Sequence, residues 1–282
     1  MALDQTQLAP RARLGGGGTL LPSPFRVPEF LSPARLLAAV WRYTPLILLA
    51  LVWEGATRLG LVSPLALPAL DKVVAAWWGL VASGDLSSNA IVSLSRGAAG
   101  LAIAIVVGIT LGVTMAWYKP VRTVFNPLVQ AVYPMPKSAL IPVVVLWLGF
   151  GSASKILMIF IGCLLPITLS AFNGARGVDQ VLIWSARSLG ASRFTTLIQI
   201  VLPGALPEIL AGTRTAIAFA FVLLVATELI VARAGLGYMI GWLGDGGVYD
   251  AMFAVVMTVA LLGFICDRGF LLLMKRVLRW RE

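Results

Sequence analysis

Few side chains in this sequence could do chemistry, and most of them sit inside apolar runs. Histidine is absent, which removes imidazole acid–base chemistry and histidine-assisted nucleophiles. Cys163 and Cys266 each fall within an apolar run. They read as small buried hydrophobes, not as a disulfide or a metal pair. No Gly-x-x-x-x-Gly-Lys-Ser/Thr occurs, and the Gly15–Gly18 run lacks both the lysine and the preceding strand of a phosphate cradle. The sequence therefore calls for no metal, no cofactor and no catalytic residue. What remains are charges in apolar surroundings, where ionisable side chains default to function.

Each of these charges has a bland alternative. Glu54 and Arg58 are four apart and can pair on one helix face. Arg96 lies near a span end, where it can snorkel to the interface. Asp267 and Arg268 are adjacent and read as a structural ion pair. Arg214 and Glu228 are 14 residues apart, roughly 21 Å along a helix, too far to pair directly. Lys137 stands in mid-span beside Pro134, Pro136 and Pro142. Those prolines bend a helix and free carbonyls, which is tolerated only against protein or a water-filled cavity. Lys137, Pro136, Arg214 and Glu228 are thus the candidate translocation path, with Lys137 foremost. Lys137 and Arg214 would favour a small anion, unless each is paired with a carboxylate of another helix.

A second feature is a polar loop in this apolar sequence. Between two apolar runs, Trp184–Pro207 reads as a short amphipathic helix, a turn at Gly190, and a second helix that Pro203 and Pro207 end as they start the next span, where a first-turn proline costs no hydrogen bond. Folding back over Gly190 would place Ala186 and Leu189 on one face with Phe194, Leu197 and Val201. Arg187, Ser192, Arg193, Thr195 and Gln199 would stay polar. Connections in compact proteins usually run about 4–6 residues; this one, residues 174–206, is far longer. It reads as a projection to be gripped by a partner.

The elements that must position these residues follow from composition. Of 282 residues, 59% are hydrophobic and 12% charged, with mean hydropathy +0.93. About 25% charged is usual for a soluble domain, so the chain is an all-α, multi-span membrane protein. Apolar runs predict about six spans, near 44–61, 93–115, 126–148, 155–173, 207–232 and 251–274. The third and fourth are close enough to form a tight helical hairpin. Residues 1–43, rich in Pro, Gly and Arg, read as a disordered cytoplasmic tail. With the N-terminus cytoplasmic, the cytoplasmic segments hold 14 Lys and Arg and the external loops 2. That split predicts both termini in the cytoplasm. The net charge of +10 lies at span ends, not in one patch, so nucleic acid is not an expected partner. Leu70, Val73, Val74, Trp77, Trp78 and Val81 fall near helical spacing in the loop 62–92. They suit either an interfacial amphipathic helix or a packed helix-turn segment. Gly97, Gly100, Gly108 and Gly112 make a small-residue stripe for close helix contact, within the chain or at a dimer seam.

The loop resembles the signature loop of ABC importer permeases, in which a Glu-Ala-Ala triplet is followed by Gly and, after nine intervening residues, by Ile-x-Leu-Pro. Here Gly190, Ile200, Leu202 and Pro203 match at that spacing, and Trp184-Ser185-Ala186 keeps the last alanine of the triplet. The stretches 93–100, 108–112, 133–142, 146–151 and 235–237 resemble the nitrate, sulfonate and taurine branch of that family. The resemblance implies a type I importer-like permease with a cytoplasmic coupling helix, residing in the cell inner membrane. It implies two ATP-binding ABC subunits, a periplasmic or surface-anchored substrate-binding protein and a second permease copy. Coupling to the ATPase would then fall to Ala186, Arg187, Gly190, Ala191, Ser192, Arg193, Ile200, Leu202 and Pro203. The solute would be a small anion such as nitrate, a sulfonate or taurine. The alternative is an ion-coupled carrier or channel working without an ATPase. Scarce mid-span carboxylates and the long loop argue against it.

Overall fold

The protein is described by a computed structural model covering residues 33–281. The expected tail, up to residue 32, lies outside the described residues. Contacts divide the chain into two compact units, 1–52 and 53–282. The first helix, α1 (Pro33–Arg58), supplies the described part of the first unit and continues into the second. It begins ahead of the predicted span boundary at 44.

The second unit is helical among its described residues. It contains α2 (Leu70–Ala82), α3 (Asp85–Trp117), α4 (Lys119–Val132), a 3-10 turn (Lys137–Leu140) leading into α5 (Ile141–Leu148), and α6 (Ser152–Arg176). There follow α7 (Gln180–Ser188), α8 (Arg193–Thr196), α9 (Leu202–Val231), α10 (Leu236–Asp245) and α11 (Tyr249–Val277). Helices α3, α6 and α9 pack side by side as the centre, and α10, α11 and α2 build outward from α9. Residues 193–231 form one continuous helical stretch through α8 and α9.

Among the described residues, four stretches are long and apolar enough to cross a membrane: α3, α6, 193–231 and α11. The bent pair α4 with 137–148 can make a fifth. Six spans were expected. The expected first span falls on α1, a 26-residue helix only part of whose side chains is described.

Close approach explains the α3–α6 seam. A Cβ added at Gly112 would stand 2.3 Å from the Thr168 carbonyl, and one at Gly100 would stand 2.8 Å from that of Ile156. In lipid, helices associate through packing of this kind, since tails solvate leucine as well as another helix does. The stripe therefore serves packing inside the chain. Ile159, Cys163 and Ile167 of α6 fill the centre between Ala104 of α3 and Ala216, Ala220 and Leu223 of α9. Cys163 is a buried core residue, as read from the sequence. Helix α2 packs on α11: Val73 is buried, and the Trp77 indole donates to the Thr258 hydroxyl at 3.1 Å. Of its two tryptophans, Trp78 alone stays exposed.

Candidate functional site

The projecting loop is built by local signals. The Asp179 carboxylate accepts from the Val181 N–H at 2.8 Å and starts α7. Ile183 is the buried anchor, packed with Val113, Ala171, Val178, Leu197 and Val201. The helix ends in a Schellman arrangement: the Gly190 N–H donates to the Arg187 carbonyl and the Ala191 N–H to the Ala186 carbonyl, both at 3.0 Å. Gly190 has φ +89°, the left-handed conformation that closes this motif and that side chains resist. The Ser192 hydroxyl then accepts from the Thr195 N–H and caps α8.

Two details differ from the expected loop. Leu189 and Phe194 do not share a face with Leu197 and Val201. They are 89% and 68% exposed, while Leu197 and Val201 are buried on Ile183. Together with exposed Trp184, they make an apolar tip flanked by exposed Arg187 and Arg193. Pro203 stands in the first turn of α9, as expected, but no break separates α9 from the helix before it. The chain continues as helix through both Pro203 and Pro207. A π turn at Leu197–Val201, in which the Leu202 N–H reaches back to the Leu197 carbonyl, precedes the proline. A proline in a regular helix would clash with the carbonyl four residues back, and the wider turn moves those carbonyls out of its way. Ile200 and Leu202 pack partly buried against the same core, while Pro203 is exposed.

Lys137 lies at the break between α4 and α5, not in the middle of a continuous span. The two arms meet at 93°. Pro134 and Pro136 disfavour helix in the residues before them. The Lys137 ammonium donates to the carbonyls of Val132 (3.0 Å) and Tyr133 (2.7 Å), satisfying the open end of α4. Lys137 and Ser138 also line a cleft of about 610 Å³, with Tyr133 just after α4, Ser170 of α6, and Thr215 and Phe219 of α9 facing them. Pro136 shapes the break and is not part of the lining.

Arg214 and Glu228 do not line the cleft beside Lys137. Arg214 pairs bidentately with Asp267 of α11, Nε to Oδ1 at 2.6 Å and Nη2 to Oδ2 at 3.0 Å. The expected Asp267–Arg268 pair is thereby replaced, and Arg268 stacks over Phe264. Glu228 is fully buried and sits at the centre of a polar cluster. Its carboxylate accepts from Arg96 Nη1 (2.8 Å), the Ser93 hydroxyl (2.7 Å) and the Gly237 N–H (3.1 Å). Arg96, expected to snorkel, is instead buried and also donates to Ser152 and to the Ala234 carbonyl. Asn89 accepts from the Gly235 N–H. Gly235 has φ +119°, and a Cβ there would meet the Glu228 carboxylate at 2.4 Å.

Sequence reasoning missed Asn89, Ser93 and Lys155. Asn89, Ser93 and Arg96 stand at i, i+4 and i+7, one polar stripe on an apolar helix, and that spacing could have revealed them. Lys155 is fully buried; its ammonium donates to the carbonyls of Phe150 (2.6 Å) and Val231 (2.8 Å). It ties the loop after α5 to the end of α9. Glu54 and Arg58 do pair at 2.5 Å, as expected from their spacing, and Glu54 also caps the Leu70 N–H.

Residues 104–279 match the family described as "Binding-protein-dependent transport system inner membrane component". The taurine transport system permease protein TauC of Escherichia coli is 36% identical over 241 residues, covering 83% of this chain and 87% of the relative. The putative aliphatic sulfonates transport permease protein SsuC of Bacillus subtilis is 32% identical, covering 84% and 86%. Among solved structures, an inward-facing form of the MetNI methionine ABC transporter superposes with TM-score 0.54 at 23% identity, covering 71% of this chain and 96% of that one. A second crystal form gives TM-score 0.55 at 20% identity. The chain belongs to the binding-protein-dependent inner membrane transport components. It is a permease subunit of an ABC importer with the type I fold, in place of the alternative of a carrier working without an ATPase.

Proposed function

We propose that this permease imports taurine or a related aliphatic sulfonate. Two copies form one pathway, two ATP-binding subunits dock on the loops 174–206, and a binding protein delivers solute on the opposite face. Both termini and the coupling loop are cytoplasmic, in line with the distribution of Lys and Arg. The chain itself performs no catalysis; ATP hydrolysis belongs to the docked subunits.

The observation that carries this reading is the tip around Gly190. Leu189 and Phe194 are large apolar side chains held in the open by a capped, glycine-locked turn. A monomer gains nothing from that exposure; a partner with an apolar groove does. The tip is also rigidly continued into the bundle, because α8 runs through the π turn into α9. A push on Phe194 is transmitted along that helix to Thr215 and Phe219, which face the Lys137 cleft. Ala186, Gly190 and Ala191 form the turn, Ser192 caps the second arm, Arg187 and Arg193 flank the tip, and Ile200, Leu202 and Pro203 belong to the transmitting arm.

The sulfonate assignment rests on the TauC and SsuC relatives and on the Lys137 ammonium in the cleft. Reconstituted with its ATPase and binding protein, the complex should hydrolyse ATP faster when the binding protein carries taurine. Lys137→Met should lower that stimulation about fivefold, the equivalent of ~1 kcal/mol of charge interaction, with assembly unchanged. Full stimulation in the variant would remove Lys137 from the pathway. Stimulation by nitrate but not by any sulfonate would remove the substrate class.

A further inference from the structure

On the coupling-loop side, a second cleft of about 480 Å³ opens between the end of α3, the start of α4, the end of α6 and the α7–α8 turn. Four arginines line it: Arg122 of α4, Arg176 of α6, Arg187 of α7 and Arg193 of α8. Its lining contains no carboxylate. Among the described residues, ion pairs join Arg58 to Glu54, Arg96 to Glu228 and Arg214 to Asp267, and none involves these four. None of the four guanidinium groups makes a hydrogen bond to a described residue either; Arg176 rests against the Phe172 ring at 5.5 Å. Trp117, Tyr118 and Trp184 complete the walls.

Four guanidinium groups around one cleft with no carboxylate in its lining repel one another, and their donors are open to an anion from solvent. Guanidinium is the side chain best matched to phosphate-like oxyanions, which it binds through paired N–H donors. The cleft also sits at a defined depth. Helix α3, an apolar membrane-crossing helix, ends at Trp117, and tryptophan and tyrosine collect at headgroup level. We propose that this cleft is an oxyanion site, taking the phosphate group of an anionic phospholipid headgroup or a soluble oxyanion of the same shape. Its occupant bridges the coupling loop to the body: Arg187 and Arg193 lie on either side of the Gly190 turn, while Arg122 and Arg176 belong to the packed helices. Binding there stiffens the joint between the loop and the bundle.

The test uses the purified full-length chain and needs no ATPase, so its outcome is independent of the coupling role of the loop. Native mass spectrometry would count retained lipid while phosphatidylglycerol or phosphatidylcholine is titrated in. Parallel titrations of inorganic phosphate and methanesulfonate, with neutral lipid alone, would be followed by thermal midpoint. The wild type should bind phosphatidylglycerol at least tenfold tighter than phosphatidylcholine, or be stabilised by free phosphate or methanesulfonate. The first result identifies a lipid source and the second a soluble one. The variant Arg122→Gln/Arg187→Gln should lose the preference or the shift. Arg122→Lys/Arg187→Lys should fold equally well and keep only part of it, since an ammonium lacks the paired donors. Arg276→Gln/Arg279→Gln, in the separate basic patch of α11 and the turn after it, should retain the wild-type response. Equal binding of both lipids with no response to either oxyanion would overturn the site. So would a response undiminished in the Arg122→Gln/Arg187→Gln variant.

Discussion

Glu228 shows how one residue can be read correctly as costly while its partner stays hidden. An acidic group inside an apolar span must have a reason to be there. Its reason is Arg96, 132 positions away in sequence and 2.8 Å away in space. Helical spacing within α9 gives the direction of Glu228 but not what faces it, so the pairing was illegible until α3 and α9 were packed. The same holds for Arg214, which finds Asp267 across to α11. By contrast, the left-handed turn at Gly190 was legible from residue type alone, because few other residues accept that φ. Removing one partner of a buried ion pair typically costs about 3–5 kcal/mol, whereas replacing both by apolar groups is often neutral. Glu228→Gln and Arg96→Met should therefore each lower the thermal midpoint of the detergent-purified permease sharply. Arg96→Met/Glu228→Leu should recover much of the loss. Single variants as stable as the wild type would show that the cluster is dispensable.

At the scale of elements, apolar runs located the long helices well, because hydrophobic length is written directly into sequence. They failed where proline acts through its surroundings. Pro203 was expected to end one helix and start the next; it does stand in the first turn of α9, but a π turn joins the two arms and the helical stretch runs on to Val231. Pro134 and Pro136, expected to bend a span, break it into arms at 93°. The face expected to join Leu189 and Phe194 to Leu197 and Val201 is split, since the first two project outward and the last two are buried. Two predictions belong here. Leu189→Ser/Phe194→Ser should leave the stability within about 0.5 kcal/mol of wild type, as for ordinary surface changes, while abolishing retention of the ATPase subunit. Gly190→Val should distort the turn at a cost of about 1–3 kcal/mol and weaken retention as well. Pull-down through a tag on the permease reads both.

For the molecule as a whole, the fold joins two sites through one helical stretch. The tip at Leu189–Phe194 and the Lys137 cleft are connected by α8 and α9, while the Glu228 cluster and Lys155 lock α3, α6, α9 and the loops before α6 and α10 into one body. A membrane transporter that moves by rocking needs such rigid units, with its bistability placed at their interfaces. Composition alone announced the membrane class and the loop length announced a partner. The solute was not legible, because one lysine in a cleft fixes a charge preference and little more. The most direct measurement is ATPase activity in what co-purifies with the tagged permease from native-like membranes. An ATP-binding subunit whose activity rises with taurine-loaded binding protein, and which is lost from Leu189→Ser/Phe194→Ser, is the expected result. A permease that retains its ATPase fully in that variant, or purifies alone yet moves solute on an ion gradient, would contradict the coupling role assigned to this loop.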